Sequence, residues 1–325
     1  MIIDAHHHFI PEPLIPYLEK NGDRLNVKIV EREDGRAIVH GEGMVDTLYA
    51  GQYDPSVMKA DMDKMHIDAA VLSNSPANMF FWSDEEAALE VSRICNDWAA
   101  ELARKEPGRF YAMATVPMQN VELSVKELER AHTQLGINAV EIAPIINGEY
   151  LDEQKFFPFY SYCADNDILL YLHPQVMERQ PFFEKYYNIN LIGNVLHTNI
   201  GLNCLLFGGV FEKYPNLKVL ASHGGGYFPY QFGRLMHGYD VRKEPCVNIS
   251  QPPSTFLKNI YFDSITHWSD SLQFLVDTFG ADHVVIGTDY PFDMGDWDPM
   301  ANVDKLRITK AQRDMITSGT ILSLL

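Results

Sequence analysis

Short apolar runs rich in β-branched residues recur along the chain and alternate with longer stretches of helical period. Eight of these runs predict β-strands, at residues 2–9, 67–73, 110–117, 138–144, 168–174, 217–223, 259–264 and 283–291. Most are almost continuously apolar, which is typical of parallel strands that are covered on both faces.

Stretches with helical periodicity precede the second to sixth strands and the eighth, at residues 54–65, 84–106, 121–135, 152–166, 192–214 and 269–280. Eight strands alternating with helices predict a (β/α)8 TIM barrel, with residues 1–325 forming one domain. A doubly wound open sheet is the alternative. It is disfavoured because no G-x-G-x-x-G follows the first strand and no P-loop is present.

Residues 10–54 are too long for an ordinary barrel loop. Within them, "NVKIVEREDGRAIVHG" predicts a β-hairpin that turns at Asp34-Gly35. We expect this insertion to lie over the barrel mouth, as a lid would.

Composition and charge exclude several classes of protein. Hydrophobic residues make up 46% of the 325 residues, which excludes general disorder. The net charge of −18 disfavours nucleic acid as a partner, and the apolar runs are too short for a membrane span. The start of the sequence has no signal-peptide pattern, and the four cysteines are widely spaced, so we expect a cytoplasmic protein with reduced thiols.

The first strand ends in three consecutive histidines, "DAHHHF". Side chains two apart in a strand share a face, so His6 and His8 point one way and His7 the other. Barrel enzymes place their chemistry at the carboxyl ends of the strands. We therefore expect His6 and His8 to offer two imidazoles there, His7 to pack in the core, and Asp4 to make structural hydrogen bonds.

Later strands end in residues of the same type. His173 closes the fifth strand in "YLHPQ", His223 the sixth in "ASHGGG", and Asp289 the eighth in "IGTDYPF". Nitrogen and oxygen donors that converge on one rim suit Zn²⁺ or a similar divalent ion, with one position left open. For the remaining histidines we expect surface or packing roles: His40, His66, His132, His197, His237, His267 and His283.

Aromatic residues flank the predicted site. Trp82, in "NMFFW" after the second strand, belongs either to the packing or to the wall of a pocket for a flat conjugated substrate. Phe292 has the stronger claim because it lies three residues from Asp289. The glycines after His223 permit backbone angles that other residues avoid.

These motifs carry a resemblance to a known family. "DAHHHF" resembles the D-x-H-x-H start of the amidohydrolase superfamily. "MDKMHIDAAVLS", "SHGGGYFPYQFGR" and "GTDYPFDMG" are similar to its decarboxylase branch, which includes aminocarboxymuconate-semialdehyde, γ-resorcylate and 5-carboxyvanillate decarboxylases. The similarity extends from residue 2 to the C-terminus.

The resemblance implies one divalent metal, expected to be zinc with manganese as the alternative, held by His6, His8, His173 and Asp289. It implies that His223 is the catalytic acid/base, and we expect Asp289 to take part in proton transfer as well. Arg234 matches an arginine that reaches a neighbouring subunit's substrate carboxylate in the muconate-semialdehyde enzyme, which implies a homodimer.

The sequence departs from the family at two points. The fourth strand, "NAVEIAP", lacks the lysine of two-metal members, which favours one metal. We expect Glu141 on that strand to be a paired structural carboxylate. No arginine occurs between Ala37 and Ser92, and Asp46 stands where the muconate-semialdehyde enzyme has a second carboxylate-binding arginine. A carboxylate there would repel an anionic substrate group.

The fold and the metal ligands fit two reaction classes, and the resemblance favours the first. The first is non-oxidative decarboxylation of an aromatic or unsaturated carboxylic acid, with a small-molecule substrate. The second is hydrolysis of a lactone, an amide or the carbon–carbon bond of a ring-cleavage product. A metal-binding barrel without turnover is disfavoured, because structural zinc sites are usually closed and rich in thiolates.

Overall fold

Eight parallel strands form the framework of the fold. The computed structural model describes residues 1–33, 35–41, 45–175 and 181–325. The strands are β1 (Ile3–Phe9), β2 (Ala69–Asn74), β3 (Phe110–Ala112), β4 (Ala139–Ile142), β5 (Leu169–Leu172), β6 (Val219–Ala221), β7 (Ile260–Asp263) and β8 (Val284–Val285). All eight fall within the predicted runs, apart from the last residue of β2.

Each predicted helical stretch contains an α-helix, and further helices lie outside these stretches. The α-helices are Leu14–Leu25, Ala50–Tyr53, Pro55–Lys64, Glu85–Lys105, Val121–Leu135, Phe157–Asp165, Val195–Phe207, Val210–Lys213, Phe228–Val241, Ser269–Phe279, Met300–Val303, Lys310–Asp314 and Thr320–Leu324. Helix Glu85–Lys105 shows why they form, because the Asp84 carboxylate caps it by accepting from Ala87 N, and basic residues occupy its last turn.

The chain divides into two units. Residues 1–141 and 288–297 form the first, and residues 142–287 and 298–325 form the second. In the first unit, β1, β2 and β3 form a parallel sheet in that order, and every residue of β1 and β2 is buried. An isolated parallel bridge joins β1 to Tyr290 at His7.

Most of the remaining parallel strands belong to the second unit. They have the order β8-β7-β6-β5 and are buried almost throughout. Several strands are shorter than the predicted runs. The apolar residues that follow β8, such as Ile286, are buried without continuing the ladder, so hydrophobicity alone overestimated the strand length.

The insertion at residues 10–54 contains the predicted hairpin. Strand Val27–Arg32 pairs antiparallel with Gly35–His40. The turn residue Asp34 lies outside the described residues. A third strand, Val45–Thr47, extends the sheet, and helix Leu14–Leu25 precedes it. The sequence analysis missed this helix because Pro16 and Gly22 interrupt its pattern. Coverage of the barrel mouth stays a prediction.

Candidate metal centre

Strand β1 presents its histidines as its period predicts. His6 Nε2 and His8 Nε2 lie 3.0 Å apart. His7 points away from them, with its Nδ1 2.8 Å from Asp4 Oδ2 and its ring stacked on Tyr290. All three are fully buried, so His6 and His8 form a paired donor set and His7 a hydrogen-bonded core residue.

Asp289 completes this cluster. Its Oδ1 lies 3.2 Å from His6 Nε2 and 3.3 Å from His8 Nε2. Its backbone is held in the left-handed region, at φ 57°, by hydrogen bonds to β1: Asp289 N donates to His6 O, and His8 N donates to Tyr290 O. This conformation costs free energy for a non-glycine residue, and it is typical of functional positions where the surrounding structure fixes the direction of the side chain.

The spacing of these atoms fits a metal ion. Within the first unit, His6, His8 and Asp289 each offer one ligand atom, and these atoms lie within 4.8 Å of one another. Ligand atoms about 2.1 Å from a tetrahedral ion are separated by about 3.4 Å, close to the distances within the His6–His8–Asp289 cluster. The residues present therefore suit a divalent metal.

The protonation state of His8 also suits ligation. Its Nδ1 lies 3.2 Å from the Asn74 carbonyl oxygen and 3.1 Å from Ser73 Oγ. Because a carbonyl only accepts, Nδ1 carries the proton and Nε2 keeps its lone pair. Burial lowers the pKa of His8 more than the Asp289 carboxylate raises it, so the imidazole is neutral, as a metal ligand must be.

Asp4 forms hydrogen bonds that hold the backbone of the residues next to the cluster. One carboxylate oxygen accepts hydrogen bonds from His6 N and Thr288 N, each at 3.0 Å. The other accepts from the Thr288 hydroxyl and faces His7 Nδ1. The register of β1 against β2 shifts between Asp4 and His7, which lets Asp4 reach a side chain of the opposite face. Its structural role is as expected.

Glu141 lies near the cluster but is not part of it. It is buried, and desolvation raises the pKa of its carboxyl well above the ordinary value; His6 opposes this shift and Asp289 adds to it. Its role as a structural carboxylate stays a prediction.

In the second unit, His173 and His223 follow adjacent strands. His173 directly follows β5, is buried, and donates its backbone N–H to Ile142 O. Its ring centroid lies 5.3 Å from that of His223, which follows β6. His173 and His223, which were both predicted from their positions at strand ends, therefore lie next to each other in the structure.

The backbone around His223 is strongly constrained. His223 has φ 54°, and Gly224, Gly225 and Gly226 also have positive φ. A Cβ on Gly225 would lie 2.6 Å from the Phe262 ring, and one on Gly226 would lie 2.2 Å from Val195 O. The three glycines are therefore required by close packing as well as by their backbone angles.

Asp263 is a residue that the sequence analysis missed. Its carboxylate accepts hydrogen bonds from His223 N at 2.9 Å, from Gly224 N at 2.8 Å and from Ile265 N at 3.1 Å. It fixes the turn that presents His223. The signal was available, since Asp263 is the last residue of β7 and the strand-end rule applies to it.

The predicted substrate contacts have different surroundings. The Phe292 ring lies 5.4 Å from the His8 ring, beside the metal cluster. Trp82 donates its indole N–H to Leu25 O and packs edge-on against His40 and Phe80. Arg234 is exposed on helix Phe228–Val241. Only Phe292 is placed against a predicted metal ligand within the described contacts.

Two expectations concern the chain as a whole. All four cysteines are free, as expected for reduced thiols. None of the helices in the described part of the chain combines the length and apolar character that a membrane-spanning segment needs.

Comparisons with known proteins agree with this geometry. A family model described as Amidohydrolase matches residues 3–325. The 2-amino-3-carboxymuconate-6-semialdehyde decarboxylase of Dictyostelium discoideum is 29% identical, over 99% of this chain and 91% of its own length.

Two solved structures share the fold. A dihydroxybenzoic acid decarboxylase from Polaromonas sp. JS666, with manganese and 2-nitroresorcinol, has a TM-score of 0.80 and 24% identity, over 99% of this chain and 96% of that one. A 5-carboxyvanillate decarboxylase from Novosphingobium aromaticivorans, with manganese and 4-hydroxy-3-methoxy-5-nitrobenzoic acid, has a TM-score of 0.84 and 24% identity, over 100% and 95%. Together with the eight parallel strands, these likenesses confirm the predicted (β/α)8 fold class.

Proposed function

Because the chain belongs to the amidohydrolase family, we propose that it is a metal-dependent, non-oxidative decarboxylase of an aromatic or unsaturated carboxylic acid. The observation that carries the proposal is the buried His6–His8–Asp289 cluster, in a chain whose full-length relatives are named decarboxylases. The relatives' names favour a carbon–carbon lyase over the hydrolase alternative.

Decarboxylation replaces a carbon–carbon bond of the substrate with a carbon–hydrogen bond. The bond between the substrate's α-carbon and its carboxylate breaks, carbon dioxide leaves, and a proton takes its place on that carbon, with no oxidant or reductant. Protonation of the carbon before carbon dioxide departs avoids a free carbanion, so the essential task of the protein is to hold a proton at that carbon.

The side chains have separate roles in this scheme. His6, His8, His173 and Asp289 would hold the metal. When bound, a divalent ion supplies positive charge that orients the substrate carboxylate and a neighbouring oxygen. An imidazole nitrogen of His223 delivers the proton to the carbon, with its turn held by Asp263. Asp289 accepts the proton of a substrate hydroxyl group as the carbon is protonated and returns it as carbon dioxide leaves, so the only net change is the proton gained by the carbon. Phe292 packs against the ring of the substrate.

The proposed metal is zinc or manganese. Three imidazoles and one carboxylate accept both ions. Zinc is the expectation from the sequence, whereas the manganese in the Polaromonas and Novosphingobium structures supports manganese. Metal-depleted protein reloaded with each ion separately, and assayed at equal occupancy, distinguishes the two.

Release of carbon dioxide tests the function. Metal-loaded protein is incubated with hydroxybenzoates, carboxyvanillate-type acids and carboxymuconate semialdehydes, and carbon dioxide is measured. We expect release from at least one acid, and its loss in His223→Asn protein that still binds one metal. No release from any acid, with hydrolysis of a lactone instead, would overturn the decarboxylase proposal in favour of the hydrolase.

We also propose a homodimer in which Arg234 serves the partner's site. The exposed position of Arg234 on its helix supports this. Mixing inactive Arg234→Ala subunits with inactive His223→Asn subunits should then restore part of the activity, because each mixed dimer contains one intact site. A monomer by sedimentation, or no restoration in a verified mixed dimer, would contradict the shared site.

A further inference from the structure

The three-stranded sheet of the insertion has a buried polar face. Asp46 on strand Val45–Thr47 pairs with Ile38, and His40 lies two residues further along the same strand as Ile38. Paired residues share a face, as do residues two apart, so Asp46 and His40 are diagonal neighbours about 7–8 Å apart. We call Ile38, His40 and Asp46 the hairpin face.

Polar groups at this face have unused hydrogen-bonding capacity. Asp46 is 8% exposed, and among the described residues its carboxylate accepts a hydrogen bond from Ser75 Oγ at 3.1 Å. His40 is 1% exposed, and neither of its ring nitrogens has a hydrogen-bond partner among the described residues. Native proteins seldom bury such groups unsatisfied, so this capacity points to a ligand.

The hairpin face is linked to the metal cluster by two short steps. Ser75, which donates to Asp46, directly follows Asn74, whose carbonyl oxygen lies 3.2 Å from His8 Nδ1. The Ser75 backbone N–H also donates to Phe9 O, at the end of β1. Asp46 is therefore connected to the metal ligand His8 through Ser75 and Asn74.

The charge at this face determines what it can accept. Residues 37–92 contain no arginine, and the two lysines of helix Pro55–Lys64 form ion pairs with Glu106 and Asp61. Arg36, two residues before Ile38 on the same strand, is ion-paired with Glu19 and Glu31. A second carboxylate of a substrate would therefore meet the Asp46 carboxyl while these cations are already paired. Burial raises the pKa of Asp46 to about 6, in keeping with an environment that already disfavours negative charge.

We infer that the hairpin face is the subsite for the end of the substrate remote from the reacting carboxylate, and that it accepts a neutral hydrogen-bonding group, such as a phenolic hydroxyl, and rejects a second carboxylate. This inference rests on the proposed function and narrows it. The substrate is then a hydroxylated monocarboxylic acid, and Asp46 is the residue that determines specificity.

Binding of two probes to manganese-loaded protein tests this by titration calorimetry. In both probes a nitro group replaces the carboxylate that would leave. 2-Nitroresorcinol has no carboxylate, whereas 4-hydroxy-3-methoxy-5-nitrobenzoate has a remote one. We expect the first to bind at least ~10-fold more tightly, because like charges in a buried site repel. Asp46→Asn, which keeps the shape of the side chain, should reduce that preference ~10-fold. Asp23→Asn, at an exposed position in the same unit, should leave it unchanged.

Each outcome decides the inference. Equal binding of the two probes, binding of neither, or an unchanged preference in folded Asp46→Asn protein would overturn it and leave the hairpin face as a site for water only. Binding does not require turnover, so the result is independent of the test of function. If the native protein prefers 2-nitroresorcinol but releases carbon dioxide from none of the acids, the decarboxylase proposal is overturned and the subsite stands.

Discussion

Strand β1 and the hairpin face both bury ionisable side chains in the first unit, but they treat them differently. In β1, Asp4 accepts hydrogen bonds from two backbone N–H groups and one hydroxyl, and both His7 and His8 have partners for Nδ1. On the hairpin face, the Asp46 carboxylate accepts a hydrogen bond from Ser75, and the His40 ring nitrogens have no hydrogen-bond partner among the described residues.

This difference separates two tasks of a binding site. The β1 side chains are oriented before anything binds, which suits a metal ion that requires fixed ligand geometry. The groups of the hairpin face have capacity left over, which suits recognition of a ligand that supplies the missing partners. Changes in β1 should therefore affect metal binding, whereas changes on the hairpin face should affect selectivity and pH dependence.

The largest effect is expected from loss of a β1 ligand. His6→Ala removes one imidazole from the cluster with Asp289, so metal affinity should fall more than ~100-fold and activity should disappear. Loss of a residue that only hydrogen-bonds to a ligand costs up to ~100-fold in affinity, and loss of a ligand should cost more. Metal content after equilibrium dialysis measures this. His66→Asn, at an exposed position, is the control. A full equivalent of metal in folded His6→Ala protein would refute the ligand assignment.

Removal of the proposed acid should separate catalysis from metal binding. His223→Asn should retain one metal but lose roughly 100- to 10,000-fold in kcat, the usual contribution of general acid–base catalysis. Steady-state rates and metal analysis of the same preparation give both values. Near-normal turnover would show that another residue delivers the proton.

A smaller effect on both stability and metal affinity is expected at Asp4. Asp4→Asn leaves the carboxylate's buried donors incompletely paired, which should lower the free energy of unfolding by roughly 1–3 kcal/mol. Because Asp4 orients the backbone of His6, metal affinity should also fall roughly 10- to 100-fold. Urea denaturation and metal titration measure the two, with Asp23→Asn as the matched control. An unchanged affinity would restrict Asp4 to folding.

The effects expected at the hairpin face concern the pH dependence of stability and leave metal binding unchanged. Burial raises the pKa of Asp46 from 3.8 to about 6 and lowers that of His40 from 6.5 to about 4. Asp46 thus binds its proton more tightly in the folded state, and its contribution to stability is lost as pH rises through about 6. His40 binds its proton less tightly when folded, so its contribution is lost as pH falls from 6.5 to about 4.

The two contributions have opposite slopes, each worth ~3 kcal/mol. Relative to the native sequence, Asp46→Asn should gain stability as pH rises from 4 to 6, and His40→Gln should gain it as pH falls from 6.5 to 4. Urea denaturation across this range gives both slopes. Slopes of the same sign would contradict this account of the hairpin face.

Much of the metal cluster could be predicted because it depends on local rules. The period of two in β1 separated His7 from His6 and His8, and the strand-end rule located His173, His223 and Asp289. The same rule applied to Asp263 would have found the residue that holds the His223 turn.

Other features depend on contacts that no local pattern records. The bonds between Asp4 and Thr288 join residues 284 positions apart, and the register shift in β1 that lets Asp4 reach His7 has no signature in the sequence. The third strand of the insertion has only three residues, too few for a periodic pattern. The sequence left two roles open for Trp82, packing or a substrate wall. Its neighbours His40 and Leu25 belong to the insertion, and no local pattern indicates that they contact it.

One measurement tests the central claim most directly, namely that this chain decarboxylates an acid at a single metal held by the β1 histidines. Metal-depleted protein is titrated with manganese or zinc while carbon dioxide release from 2,6-dihydroxybenzoate and the other acids of the panel is recorded. The account predicts that release rises in proportion to the metal added and saturates at one equivalent per chain, and that His6→Ala protein gives none. Release from the metal-depleted protein, or saturation only at two equivalents, would contradict it.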